Sequence, residues 1–139
     1  MQNKNEFLWP IRVYYEDTDC GGVVYHANYI RFLEQARTEW LRSLNIIQSQ
    51  LAHNFNIVFA ITKINIDFIS PAKLDDQLEI SVTVHQLKKA SIEFFQQINN
   101  NGVCCCRATV KVACIDTIRF RPTAIPPKIY ECFKSCKIN

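Results

Sequence analysis

The spacing of apolar residues predicts one long helix in the first third of the chain. Between residues 28 and 44, apolar side chains recur every three or four positions, which gives a helix one broad buried face. These positions are Tyr29, Phe32, Leu33, Ala36, Trp40, Leu41 and Leu44. Residues 45–56 form a more polar connector, with a short helical turn expected around residues 47–51. Only the first of these segments is long enough to cover a sheet.

Alternation of apolar and polar positions predicts the remaining elements. The five predicted strands are residues 11–15, 57–69, 78–85, 91–98 and 103–116. Consecutive strands joined by short polar turns are most simply antiparallel, and a single apolar helix needs a surface to cover. The pattern therefore predicts an α+β fold with one helix on an antiparallel sheet. It leaves open whether the sheet curls around the helix or lies flat beneath it.

The whole chain, residues 1–139, is predicted to be one domain, because its length suffices for a single core and shows no repeat or linker. A short polar arm is expected at residues 1–8. Prolines at 122, 126 and 127 are expected to end the sheet. Residues 122–139 are therefore predicted to form a tail with one helical segment.

Charge and hydrophobicity exclude some classes of function. The net charge is +3, too small for a strongly basic nucleic-acid binder but compatible with an anionic ligand met by a few Lys and Arg side chains. No apolar run approaches the roughly 20 residues that a membrane span needs. Residues 1–5 lack the apolar segment of a signal peptide. We therefore expect a soluble, cytoplasmic protein.

Seven cysteines raise the question of a metal site or disulfides. Cys104, Cys105 and Cys106 follow one another on a predicted strand, so their side chains point alternately to opposite faces and cannot converge on one ion. The chain has no C-x-x-C pair, and Cys132 with Cys136 supplies only two ligands. We interpret the cysteines as small, reduced and mostly buried side chains and expect no metal.

Candidate chemistry lies between the first strand and the long helix, at residues 16–29, with the sequence EDTDCGGVVYHANY. Gly21 and Gly22 permit a tight turn that brings bare backbone close to a ligand. His26 and Asn28 fall where the helix opens. A helix start offers unpaired N–H groups and a partial positive charge, which suit an oxygen that becomes anionic during reaction. The segment therefore brings together an acid, a histidine and an oxyanion site.

This segment also resembles a known family. Residues 17–29, preceded by Arg-Val-Tyr-Tyr-Glu and followed by Phe-Leu-Glu-Gln-Ala-Arg-Thr-Glu, are similar to the opening of the Tol-Pal-associated acyl-CoA thioesterases. That group belongs to the 4-hydroxybenzoyl-CoA thioesterase-like hotdog family. The similarity continues through residues 64–78, with Ser-Pro-Ala-Lys-Leu at 70–74, and so covers most of the chain.

The resemblance implies a hotdog fold, in which a five-stranded antiparallel sheet wraps around one long central helix. It implies a hydrolase that cleaves the thioester of acyl-CoA, or of acyl carrier protein-linked substrates, to a carboxylic acid and a thiol without a cofactor. It also implies homodimers or homotetramers with an active site at each subunit boundary. Residues 103–115 carry few charges, and an exposed edge strand of that kind would need a partner.

Site residues follow from the same resemblance. Asp19 matches the catalytic carboxylate, which either attacks the thioester carbonyl or activates a water molecule. His26 matches an assisting residue whose backbone N–H would hold the thioester oxygen, and Tyr15 would hold Asp19 or water. At Gly22, a Cβ would crowd the acyl group. Asp17 is interpreted as a turn residue or a surface carboxylate.

Each assignment has a structural alternative. His26 would merely cap or pack at the start of the helix, and Tyr15 would be a core residue of the first strand. Cys20 is a rival nucleophile, but adjacent side chains on an extended chain point apart and His26 is not placed as its base.

Basic residues in loops are candidate contacts for the phosphates of coenzyme A, although most surface lysines are simply solvated. The substrate-binding candidates are Lys88, Lys89 and Ser91 between two strands, and Arg119 after the last strand, followed by Arg121 and Lys128.

Three other functions compete with thioester hydrolysis. The Asp17-Thr18-Asp19 triplet has the D-x-D form of haloacid-dehalogenase-type phosphatases, but those enzymes use Mg²⁺ on a longer chain with a parallel sheet. A hotdog hydratase or dehydratase would act on carbon and leave the thioester intact. A non-catalytic module would bind an acyl thioester or acyl carrier protein without turnover.

Overall fold

The computed structural model describes residues 5–137, which form an antiparallel sheet and three α-helices. In chain order the elements are β1 (Phe7–Arg12), a 3-10 turn (Tyr15–Asp17), α1 (His26–Ser43), α2 (Gln48–Phe55), β2 (Ile57–Phe68), β3 (Gln77–Leu87), β4 (Ser91–Asn100), β5 (Val103–Asp116), β6 (Arg121–Pro122) and α3 (Pro127–Cys136). The predicted combination of one long helix with an antiparallel sheet is confirmed.

The main strands are arranged in the order β1-β3-β4-β5-β2, and β6 pairs with the end of β5. The sheet thus has six strands rather than the predicted five, although β6 is only two residues long. The prediction that residues 103–115 form an edge strand is wrong, because β5 lies between β4 and β2. Its few charges reflect burial within the sheet. The edge strands among these five are β1 and β2.

The first strand lies earlier than predicted. It ends at Arg12, and Tyr14 and Tyr15 are exposed rather than part of a strand. Tyr15 instead begins the 3-10 turn, although tyrosine has a high strand propensity. The predicted arm at residues 1–8 is also too long, because Phe7 and Leu8 pair with β3. Residues 1–4 lie outside the described residues.

The core forms between α1 and the sheet. Phe32, Leu33 and Ala36 on α1 are almost completely buried. Trp40 packs edge-on against Phe94 of β4, with ring centroids 5.2 Å apart. The burial follows directly from the three- and four-residue spacing of apolar positions along the helix.

The C-terminal segment is part of this core and not a tail. Residues 127–136 form α3, whose Phe133 is 1% exposed and lies with its ring centroid 5.2 Å from that of Trp40. Proline at the start of α3 suits the first turn of a helix, where no intrahelical N–H bond is lost. Residues 138–139 lie outside the described residues. Within residues 5–137, no helix is both long and apolar enough to cross a membrane.

Candidate active site

Asp19 begins a tight turn between the 3-10 turn and α1. The Gly22 N–H donates to the Asp19 carbonyl at 3.1 Å, and the Asp19 N–H donates to the Val23 carbonyl at 2.9 Å. Thr18 and Val24 form an isolated antiparallel bridge next to this turn. The Asp19 side chain is exposed, and its Oδ1 accepts the Gly21 N–H at 2.8 Å. The turn therefore presents an oriented carboxylate beside the segment that leads into α1.

Asp17 anchors this turn to the helix. It is 3% exposed, its Oδ2 accepts the Tyr14 N–H at 2.8 Å, and its Oδ1 forms an ion pair with Arg31 of α1. Its carbonyl accepts the Tyr25 N–H and the Asn28 side-chain amide. The interpretation of Asp17 as a turn residue agrees with these bonds, whereas its interpretation as a surface carboxylate is wrong. Burial is possible because the Arg31 cation and the Tyr14 N–H satisfy the charge of the carboxylate.

His26 is the first residue of α1, and its side chain is exposed. Its ring centroid lies 4.4 Å from that of Tyr25 and 6.3 Å from that of Phe68, which meets it edge-on. The N-cap residue Tyr25 makes no side-chain capping bond. Of the first-turn N–H groups, that of Asn28 donates to the Tyr25 carbonyl at 2.8 Å, so those of His26 and Ala27 are open to an oxygen from a ligand, and the helix dipole favours negative charge there.

The segment after β2 is hydrogen-bonded to the start of α1 and to the residues just before it. The Val24 N–H donates to the Ala72 carbonyl at 2.9 Å, and the Ala72 N–H donates to Tyr29 Oη at 3.0 Å. Tyr29 is buried and packs against Phe68. Burial raises the pKa of the Tyr29 hydroxyl, which the Ala72 N–H partly opposes, so the hydroxyl stays protonated.

Arg31 and Tyr29 are positioning residues that the sequence did not reveal as such. Tyr29 reads as one more apolar position of the helix, and Arg31 as a solvated cation. One signal could have found Arg31: it lies on the first turns of the helix, within reach of acids that precede it in sequence. For Tyr29, the partner is a backbone N–H 43 residues away, which no sequence pattern indicates.

Tyr15 is 81% exposed, which contradicts the alternative that it is a core residue. It lies on the 3-10 turn and contributes to a shallow cavity with Arg12, Leu74 and Asp75. Between the two described residues Tyr15 and Asp19, the structure has no side-chain hydrogen bond. A role in holding Asp19 stays a prediction.

Glycine is favoured at the two positions of the turn for different structural reasons. Gly22 has φ = +80°, a conformation that residues with a Cβ rarely adopt, and a Cβ there would meet no protein atom within 4 Å. At Gly21, a Cβ would lie 3.2 Å from Asp19 Oδ1. Backbone conformation thus requires glycine at Gly22, whereas the space beside the carboxylate favours it at Gly21.

The basic candidates lie at the other end of the sheet. Lys88, Lys89 and Ser91 lie at the β3–β4 turn, and Arg119 follows β5, near Asp116, which pairs with the first residue of β2. The Asp19 turn is instead braced by Ala72, beyond the last residue of β2. A strand of twelve residues spans roughly 35–40 Å. Within one chain, the structure does not bring the basic candidates and Asp19 together.

Cys20 is exposed at the turn, whereas Cys105, Cys106 and Cys114 are buried. Throughout residues 5–137, no group of three or more His, Cys, Asp or Glu side chains is arranged to hold a metal ion. The groups that the turn and the start of α1 present are the Asp19 carboxylate, the Cys20 thiol, the His26 imidazole and backbone N–H groups.

Comparison with known proteins identifies the family. Residues 13–133 match the model of the Thioesterase-like superfamily. The chain is 45% identical to the acyl-CoA thioesterase YbgC of Haemophilus influenzae, over 96% of this chain and 98% of the relative. It is 42% identical to the acyl-CoA thioester hydrolase YbgC of Escherichia coli O6:H1, over 95% of this chain and 98% of the relative.

Solved structures agree on the fold. A probable thioesterase from Bartonella henselae superposes with a TM-score of 0.84 at 31% identity, over 87% of this chain and 99% of that chain. A thioesterase-superfamily structure from Jannaschia sp. CCS1 superposes with a TM-score of 0.91 at 20% identity, covering 100% of this chain and 99% of that chain. The predicted hotdog arrangement is thereby confirmed. Because the family model spans both the Asp19 turn and the sheet behind it, the chain belongs to the Thioesterase-like superfamily.

Proposed function

We propose that this protein hydrolyses acyl-CoA thioesters, with Asp19 as the catalytic carboxylate. The observation that supports the assignment of the site is the Thr18–Val24 bridge, which joins the turn that carries Asp19 to the segment leading into α1. Thioester hydrolysis needs an activated nucleophile on one side of the carbonyl and N–H donors for its oxygen on the other. Full-length similarity to acyl-CoA thioesterases supports the same reaction class.

In the reaction, the thioester oxygen accepts hydrogen bonds from the first N–H groups of α1, including that of His26. In one route, Asp19 removes a proton from the attacking water. In the other route, Asp19 attacks the carbonyl itself and forms an anhydride, which water then hydrolyses. In both routes the C–S bond breaks, the thiolate takes a proton, and a carboxylic acid leaves. In this proposal, His26 supplies that proton and Tyr15 orients water. Gly22 allows the backbone turn that positions Asp19.

The acyl group has an apolar surface available beside the catalytic residues. Tyr25 and Phe68, whose rings lie near that of His26, and Ile69, which follows Phe68 in the chain, are each about half exposed. Apolar side chains next to an oxyanion site suit an acyl chain, since burial of each methylene contributes about 0.8 kcal/mol. The carrier is coenzyme A or, as a second candidate, the phosphopantetheine arm of acyl carrier protein.

A homodimer would reunite the two halves of the substrate site. If two copies pair through the free edge of β2, two-fold symmetry makes the strands antiparallel. The start of one β2 then lies beside the end of the other. Lys88, Lys89, Ser91 and Arg119 of one subunit would thus face the Asp19 turn of its partner and contact the phosphates of coenzyme A. A homotetramer would be built from two such dimers.

A cytoplasmic location is part of the proposal. Acyl-CoA is an intracellular substrate, and the seven cysteines are all unpaired thiols, as suits a reducing compartment.

Thiol release from a panel of short, long and aromatic acyl-CoAs tests the function. We expect Asp19→Asn to lower kcat at least a hundredfold, because it removes the catalytic carboxylate but keeps an acceptor for the Gly21 N–H. The matched control is Glu16→Gln, an exposed acid three residues earlier, which should leave kcat within about twofold.

Full turnover by Asp19→Asn would show that the site is misassigned. Wild-type protein that frees no thiol but hydrates an enoyl-CoA would establish the hydratase alternative. Binding of acyl-CoA without any turnover would establish the binding module.

A further inference from the structure

Arg37 is a buried cation that the proposed mechanism does not use. It lies on α1 and is 7% exposed. Its Nη1 donates to Oε1 of Gln96 at 3.0 Å, and the Gln96 amide in turn donates to the Leu33 carbonyl at 3.1 Å. No aspartate or glutamate of residues 5–137 forms an ion pair with it. Buried charges in proteins are ordinarily paired, so this cation lacks the partner that would offset its desolvation.

A cavity of about 310 Å³ lies beside Arg37. Its walls combine apolar and polar side chains, and the apolar ones include Phe59 of β2, Phe94 of β4 and Phe133 of α3. The volume is at the lower end of the range for small-molecule sites, which combine apolar walls with a few polar groups that orient the ligand. Arg37 is the polar group at depth in this cavity.

The rim of the cavity is polar. Glu34, Thr38 and Gln48 line it, and the Gln48 amide donates to the Thr38 hydroxyl at 3.1 Å. Glu34 is exposed, so water screens its charge. Burial lowers the pKa of Arg37 to about 10, an effect that Glu34 partly opposes. Arg37 therefore carries its full charge at neutral pH. Glu34 acts on it only through its nearby charge and does not form an ion pair with it.

We propose that this cavity binds a small apolar carboxylate, whose hydrocarbon part contacts the aromatic walls and whose carboxylate pairs with Arg37. A planar guanidinium is well suited to a carboxylate, because its N–H groups match the two oxygens. The site lies about 16 Å along α1 from His26, eleven residues earlier, so within one chain it is separate from the Asp19 turn. Binding of a carboxylate does not require thioester hydrolysis, although in the proposed homodimer the cavity, which Phe59 and Ile61 line near the start of β2, would lie toward the partner's Asp19 turn, and the product of that reaction is a carboxylate of the same class.

Isothermal titration of the full-length protein with octanoate and with 1-octanol tests the proposal. We expect one octanoate per chain and at least tenfold weaker binding of octanol, since octanol lacks the charge that pairs with Arg37. In Arg37→Met, octanoate should bind at least tenfold more weakly while octanol binding changes less than about threefold. Equal binding of octanoate and octanol by wild-type protein, or undiminished octanoate binding by Arg37→Met, would overturn the proposal.

A second pair of variants keeps the test decisive if Arg37→Met fails to fold. Ile61 lines the cavity and is 42% exposed, so Ile61→Trp should fill the opening and weaken octanoate binding at least tenfold. Val58 lies on the same strand, is 38% exposed and does not line the cavity, so Val58→Trp should leave binding unchanged. If both variants bind octanoate equally, the ligand is not in this cavity and the proposal is wrong.

Asp19→Asn separates this proposal from the proposed function. It should retain octanoate binding while losing thiol release. Absence of thiol release in wild-type protein would reject the thioesterase and leave the carboxylate site intact, whereas loss of octanoate binding alone would reject only the carboxylate site.

Discussion

At the scale of single residues, Asp17 and Asp19 show how two acids two positions apart acquire different roles. Asp17 is buried, paired with Arg31 and bonded to backbone N–H groups, so it is a structural anchor. Asp19 is exposed at a turn with one backbone donor, so it remains available to a substrate. Their environments, rather than their chemistry, decide which of them can react.

The adjacent glycines should respond differently to alanine. Gly22→Ala forces a Cβ into a positive-φ conformation, so we expect a loss of about 1–2 kcal/mol in the free energy of unfolding. Gly21→Ala places a Cβ 3.2 Å from Asp19 Oδ1. Compared with Gly22→Ala, it should therefore lower kcat more and lower the free energy of unfolding less. Urea unfolding and thiol release measured on both variants check the contrast. If one of the two variants were the more impaired in both kcat and the free energy of unfolding, the expected contrast would be contradicted.

The cysteines should differ in reactivity according to burial. Burial raises the pKa of Cys106 to about 12, helped by its neighbours Cys104, Cys105 and Asp67, and that of Cys114 to about 11. At pH 8 a thiol reagent should therefore modify exposed Cys20 rapidly, and Cys106 and Cys114 only after unfolding. Mass spectrometry of the labelled protein checks this order, with Cys20→Ser as the control.

The same thiols make stability depend on pH. In the unfolded chain they ionise above about pH 9, whereas in the folded protein they stay neutral to higher pH. Their stabilising contribution is therefore complete below pH 9 and is lost as the pH rises toward 11–12. Stability that rises across this range would contradict the assignment.

At the scale of elements, α3 is more than a terminal extension. Its Phe133 joins Trp40 of α1 and Phe59 of β2, with ring centroids 5.2 and 5.9 Å away, respectively. The prolines before it end the strands but also start the helix. An element predicted as a tail thus closes one side of the core.

We expect Phe133→Ala to lower the free energy of unfolding by about 3–5 kcal/mol, because it removes a fully buried aromatic ring and leaves a cavity. The control is Phe120→Ala, which removes the same ring from a position that is 84% exposed and should cost less than about 0.5 kcal/mol. Urea unfolding followed by tryptophan fluorescence measures both. Equal effects would mean that α3 is not docked on the core.

At the scale of the whole molecule, the arrangement of the strands separates the proposed catalytic and phosphate-binding residues. The Asp19 turn lies beyond the end of β2, and the basic residues lie where β2 begins. A substrate that needs both groups must therefore contact two subunits. This is the physical argument for a composite site in a homodimer.

Subunit mixing tests the composite site. One chain carries Asp19→Asn, and the other carries Lys88→Glu, Lys89→Glu and Arg119→Glu. In a mixed dimer, one site would receive both defects and the other neither. Random pairing should therefore restore about a quarter of the wild-type rate at low substrate concentration, since half of the dimers are mixed and one of their two sites is intact. Activity no higher than the sum of the separate variants would exclude a shared site.

The sequence by itself determined the local elements and the family. Apolar spacing located α1 to within two residues, alternation located four of the main strands, and β5 was predicted with its observed bounds. The acid, the two glycines and the histidine could be recognised as a site because they are close together in the chain. Periodicity and turn chemistry are local properties, which sequence patterns report directly.

Only the tertiary structure decided which strand lies at an edge, which acid is buried and what covers the C-terminal helix. β5 looks like an edge strand from its composition, yet pairing on both sides makes it central. The pairing of Asp17 with Arg31, the bond from Ala72 to Tyr29 and the cavity at Arg37 all join residues distant in sequence. Such contacts depend on how the elements pack in three dimensions, and a single sequence carries no local pattern for them.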